Sequence, residues 1–176
     1  AMLSGGVFSV AVREKPRVLI IPTGSELDDW QRIEITNLKP GQVIETNSIV
    51  LGKLAEACGG SYVRHAKLMD DFEAIKQTVL QAIEDNYHLV LIVGGSSAGS
   101  EDYARHVIQS LGEVLVHGVT MMPGKPVVMG DIQGTPVFGV PGYPVSAIMA
   151  FEQFVRPLIL RMLEQPEEKR TTIPVE

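Results

Sequence analysis

The chain predicts an α/β fold, with a mostly parallel sheet, helices on both faces and a late antiparallel strand pair. Three observations carry that expectation. Short apolar runs alternate with segments of helical spacing along most of the 176 residues. Within "YHLVLIV" (87–93), Leu89 to Val93 is apolar without interruption and rich in β-branched side chains, the pattern of a strand covered on both faces. "KPVVMGDIQGTPVFGV" (125–140) reads as two strands joined by a turn at Gln133-Gly134.

Taken in order, "RVLIIPTG" (17–24) is an apolar run closed by Pro22 and Gly24, a buried strand. A polar connector broken by Pro40-Gly41 follows. "TNSIVLGKLAEACGG" (46–60) places apolar residues at 49, 50, 51, 54, 55 and 58, which is helical spacing. Thr46, Asn47 or Ser48 supplies its N-cap and Gly59-Gly60 its stop. "SYVRHAKL" (61–68) is a second strand, and "DDFEAIKQTVLQAIEDN" (70–86) a helix whose first-turn acids complement the helix dipole. The strand at 87–93 leads through a glycine- and serine-rich stretch into a helix over roughly 101–111. "GEVLVHGV" (112–119) is a further strand ahead of the late pair. "GYPVSAIMAFEQFVRPLILRMLE" (142–164) has the apolar spacing of a long buried helix, with Pro157 inside it to kink or split it.

Composition narrows the function. With 15 basic against 21 acidic residues, the chain does not offer a general nucleic-acid surface. Cys58 is the only cysteine, so there is no intrachain disulfide and no cysteine zinc cage, which suits a reducing cytoplasmic interior. The longest apolar run, Leu89 to Val93, is far short of the ~20 residues that span a membrane, and no membrane partner is expected. Residues 1–14 read as a lead-in or the remnant of a preceding domain, 15–164 as one domain, and 165–176 as a linker toward a further one.

In a sheet of this kind ligands bind beyond the carboxyl ends of the strands, near a switch in strand order. "PTGSEL" (22–27), "GGSSAGSED" (94–102) and "VPGYP" (140–144) all fall there. Gly94, Gly95 and Gly99 permit close backbone approach, while Ser96, Ser97 and Ser100 add hydroxyl donors ahead of a helix. That is the make-up of an anion cradle, or of a plain glycine-rich turn with a capping residue. No lysine follows, so it is not a Walker loop, and the glycine spacing is not the dinucleotide fingerprint. Glu26 and Asp102 are carboxylates on two different loops. Near bound phosphates they call for a divalent metal between them, and otherwise they serve as helix caps or solvated surface groups. Lys125 is held between the Pro123-Gly124 turn and Pro126, which fixes the direction of a cation. Pro141, Gly142 and Pro144 make a stiff loop, and Ser146 falls in the first turn of the long helix, a second place for an anion. His65, His88, His106 and His117 show no metal-ligand spacing and read as core or surface residues, and Cys58 reads as packing.

"PTGSEL", "KPGQVIETNS", "VGGSSAGSEDY", "HGVTMMPGKPVVMG" and "GTPVFGVPGYPVSAIMAFEQFVRPLI", in this order, resemble the central domain of MoeA-type molybdopterin molybdotransferases, within the wider MogA/MoaB superfamily. The likeness covers about residues 15–163. It implies a three-layer, MogA-like α/β domain that binds adenylylated molybdopterin, inserts molybdate with Mg2+ as the divalent cation, and releases AMP. It implies catalytic and metal-holding roles for Glu26 and Asp102, and places Pro141 and Pro144 at the family's two loop prolines. Asn47 and Ser48 match its helix start. It further implies flanking domains and a second subunit, hence a homo-oligomer. Ser25, Ser96, Ser100 and Tyr143 depart from the family's usual residues, Tyr143 replacing an asparagine between the prolines. A diverged, non-catalytic module that binds a pterin or nucleotide for sensing or delivery is the alternative. A CinA-type domain acting on pyridine nucleotides is a third, against which the two proline segments speak.

Overall fold

The structure, a computed structural model, describes residues 2–29, 38–94 and 102–166. Its centre is a sheet of six strands: β1 (Arg17–Pro22), β4 (Ser61–Arg64), β5 (Leu89–Val93), β6 (Glu113–His117), β7 (Val128–Ile132) and β8 (Thr135–Val140). They lie in the order β4-β1-β5-β8-β7-β6. The pairs β1–β4, β1–β5 and β5–β8 are parallel, whereas β7 runs antiparallel to both β8 and β6. The expected fold class is therefore what the chain adopts. One difference is that the antiparallel part holds three strands, because β6 closes the edge beyond β7.

Side chains of β1 and β5 point alternately to the two faces, and both faces are buried. Val18, Ile20, Leu89 and Leu91 join one core with Leu51, Phe151 and Ile159; Leu19, Ile21, Val90 and Ile92 join another with Ile75, Val79, Val107 and Ile108. This double burial is why these strands are apolar at every position. The first core lies under α1 (Asn47–Ala57), α4 (Pro144–Ala150) and α5 (Arg156–Met162), and the second under α2 (Phe72–Glu84) and α3 (Tyr103–Leu111). The result is three layers. The hairpin between β7 and β8 turns at Gln133 and Gly134, both with positive φ, and the Asp131 carboxylate accepts the Gly134 N–H at 2.9 Å.

Pro157 has the expected effect, in a specific form. Between α4 and α5 the chain makes a π turn over Phe151–Val155. A proline ring collides with the carbonyl four residues earlier in a regular α-helix, and a wider turn just before it relieves that contact. The polar connector after β1 holds a feature with no clear sequence period. β2 (Leu27–Asp28) and β3 (Val43–Ile44) form a small parallel ribbon, each only two residues long.

Candidate functional site

Because β1, β5 and β8 are adjacent and parallel, their carboxyl ends open onto one rim. Backbone bonds hold the ends together: Thr23 N–H donates to the Val93 carbonyl at 2.8 Å and Gly94 N–H to the Val140 carbonyl at 3.0 Å. Gly94 adopts φ +105°, and a β-carbon there would stand 2.2 Å from the Thr23 carbonyl oxygen. Only glycine allows this crossing. On the far side, a β-carbon on Gly142 would lie 3.6 Å from Gly94 Cα, so the proline loop abuts the glycine turn.

Two more segments complete the enclosure. α1 begins at Asn47, whose side-chain amide donates to the Gly142 carbonyl at 2.6 Å, across 95 residues of sequence. The Met122–Pro126 segment packs against α4, since a β-carbon on Gly124 would lie 3.6 Å from the Ser146 carbonyl. Together these elements surround a cleft of about 890 Å³. The β2–β3 ribbon forms one wall of it through Leu27, Val43 and Ile44.

Of the residues singled out in the sequence, Glu26, Gly94, Lys125, Pro141, Gly142, Pro144 and Ser146 line this cleft together. Gly95, Ser96, Ser97, Gly99 and Ser100 lie outside the described residues. Asp102 is not among the described lining residues. It is the N-cap of α3, with Oδ1 accepting the Arg105 N–H at 3.1 Å and Oδ2 lying 3.1 Å from His117 Nε2. Glu26 sits on a pinned loop, where Gly24 N–H reaches the Leu68 carbonyl at 3.1 Å and Ser25 N–H the Asp70 carboxylate at 3.1 Å. Its carboxylate folds back over Gly24, within 2.7 Å of where a β-carbon would stand, and the residue itself is exposed.

Four participants, Glu45, Arg64, Lys67 and His117, are not among the functional candidates of the sequence. Thr46 occupies the N-cap position of α1 but makes no side-chain cap bond; the Glu45 carboxylate takes the Ser48 N–H instead, at 2.8 Å. Glu45 is only 2% exposed, and its other oxygen meets Ser48 Oγ at 2.5 Å and Arg64 Nε at 3.1 Å. Arg64 also reaches Asp29 at 3.3 Å, and Lys67 donates to the Leu27 carbonyl, so cations at the end of β4 clamp the ribbon. The "E-T-N-S" spacing was the available clue to the cap. His117, read as a core or surface residue, is exposed and pairs with Asp102.

No group of three or more His, Cys, Asp or Glu among the described residues is arranged to hold a metal ion. Among the described lining residues the charged side chains are Glu26, Glu45 and Lys125, and both oxygens of Glu45 are engaged. The donor set therefore does not form a protein-only cage. It fits a hard cation held by one or two carboxylates and by a ligand's own phosphates.

Residues 19–161 match the family model described as "Probable molybdopterin binding domain". The chain belongs to this family. It is 34% identical over 174 residues to molybdopterin molybdenumtransferase 2 of Mycobacterium tuberculosis, covering 94% of this chain and 41% of that protein. The crystal structure of the MoeA molybdopterin biosynthesis protein of Pyrococcus horikoshii superposes with a TM-score of 0.75 at 38% identity, over 86% of this chain and 36% of that one. MoaB of Thermus thermophilus shares the fold at 18% identity, with a TM-score of 0.64 over 85% of this chain and 98% of that one. The MogA/MoaB-like architecture expected from the sequence is thus the observed one. The chain spans about two fifths of the length of these longer relatives.

Proposed function

We propose that the cleft at the carboxyl ends of β1, β5 and β8 binds adenylylated molybdopterin, and that a protein carrying this domain inserts molybdate into that ligand and releases AMP. The observation that carries the reading is the meeting of three sequence-distant loops with Lys125 and Glu26 at one rim. Gly94 brings backbone close to the ligand, and Lys125 supplies a positive charge to its phosphates. Glu26 would hold Mg2+ against the phosphates, with Asp102, the N-cap of α3, as the second carboxylate, and the cation would supply charge neutralisation there. Other domains of a longer chain and a second copy would complete the enclosure, in the cytoplasm. The relatives' greater length is consistent with that division of labour.

The test is AMP release from adenylylated molybdopterin with molybdate and Mg2+, using the longest available form of the protein. Glu26→Gln is expected to slow release by at least about tenfold. Asp102→Asn should do the same. A rate unchanged in both variants would remove the carboxylates from the reaction.

One observation favours a second reading, a binding module without turnover. Both Asp102 oxygens already have protein partners, the helix amide and His117. On that reading the ligand binds tightly, no AMP appears, and Asp102→Asn leaves binding unchanged.

A further inference from the structure

We infer that Tyr143 is a specificity-determining residue of the cleft, the surface on which the flat heteroaromatic ring of the ligand stacks. This rests on the cleft being a ligand site and adds which residue takes the ring.

Tyr143 lines the cleft yet is 76% exposed, and Met122, also a lining residue, is 86% exposed. Single exposed apolar side chains are ordinary, but these two share the lining of one cleft with a third, Val43 of the ribbon. Neither sits on a floppy segment. Tyr143 lies between Pro141-Gly142 and Pro144, and Met122 directly precedes Pro123. The Tyr143 backbone is tied on both sides: its carbonyl accepts the Ala147 N–H at 2.9 Å, and the preceding Gly142 carbonyl accepts the Asn47 amide. Its side chain makes no capping bond for α4, so the helix start does not use it. A fixed backbone that holds a large ring in water offers a π-face with few torsions left to freeze on binding.

The charged groups of the lining come from other loops than Tyr143, with Lys125 on the Met122–Pro126 segment and Glu26 on the first loop. The lining thus offers an aromatic face at Tyr143 and one cation at Lys125, and the ligand class it suits is a planar nitrogen heterocycle joined to an anion. Stacking of a base-sized ring on an aromatic side chain is worth about a tenfold change in affinity or more.

The experiment uses pterin-6-carboxylate as probe, read by its own fluorescence, with inorganic phosphate as the ringless control. Wild type, Tyr143→Phe and Tyr143→Leu are compared, and equal melting temperatures establish that all three are folded. Stacking predicts that pterin emission is quenched on binding to wild type, by electron donation from the phenol, and that the Phe variant keeps the wild-type affinity. The Leu variant should lose the quenching and bind the pterin about tenfold more weakly. Phosphate affinity should be the same in all three. A Leu variant that binds and quenches the pterin as wild type does would overturn the stacking role and leave the cleft reading standing. Failure of every variant, wild type included, to bind the pterin would overturn the cleft reading and this inference with it.

Discussion

Replacing Gly94 by alanine combines two costs, a β-carbon driven into the Thr23 carbonyl and a side chain forced to φ +105°. Backbone strain of this kind amounts to about 1–3 kcal/mol, and the clash adds to it. Gly94→Ala is accordingly expected to lower the urea midpoint and also to weaken pterin binding, because relief requires β1 and β5 to part at the rim. Cys58 behaves oppositely to a reactive thiol. Burial against the first core pushes its thiol pKa up, with Arg156 pulling weakly the other way and Glu152 adding to the rise. It should resist iodoacetamide at pH 8 in the native chain and react readily in urea; equal rates would contradict its packing role. Above the ordinary thiol pKa the unfolded chain loses this proton first, so stability falls as pH rises through that window. Both residues were visible in the sequence, Gly94 as a strand-ending glycine and Cys58 as the last apolar position of a helix. The pairing of His117 with Asp102 was not, because it depends on β6 lying beside the start of α3.

Among elements, the regular ones were legible because their periods are long enough to read. The eleven residues of α1 and thirteen of α2 show helical spacing, and β5 shows continuous apolarity. The β2–β3 ribbon was not legible, since two-residue strands have no period. Its stability comes from ion pairs that only the folded chain assembles. Arg64 and Lys67, at and just beyond the end of β4, reach Glu45, Asp29 and the Leu27 carbonyl. Arg64→Ala leaves Glu45 buried with one partner fewer. Breaking a buried pair costs about 3–5 kcal/mol, and the low end applies because Arg64 keeps 18% of its side chain exposed. Chemical denaturation is expected to show a loss of about 3 kcal/mol. A loss below about 0.5 kcal/mol would mean that the network does not hold the ribbon, on the scale of an ordinary surface substitution. The π turn belongs to the same class of feature: Pro157 announced a disturbance in the last helix, but not that it would take the form of one widened turn.

At the scale of the whole molecule, the sheet order decides where chemistry can happen. Placing β5 between β1 and β8 brings loops near residues 23, 94 and 141 to one edge, although they are some 70 and 47 residues apart in the chain. The sequence supported this arrangement through its strand–helix alternation and through resemblance; seven of the singled-out residues line one cleft, and Asp102 is not among its described lining residues. The most direct measurement is amide chemical-shift mapping of the labelled chain titrated with pterin-6-carboxylate. The account predicts that the largest shifts fall on Thr23, Gly94, Asn47, Lys125 and Gly142. Shifts concentrated around Arg17, His88 and Glu113, with those five unmoved, would contradict it.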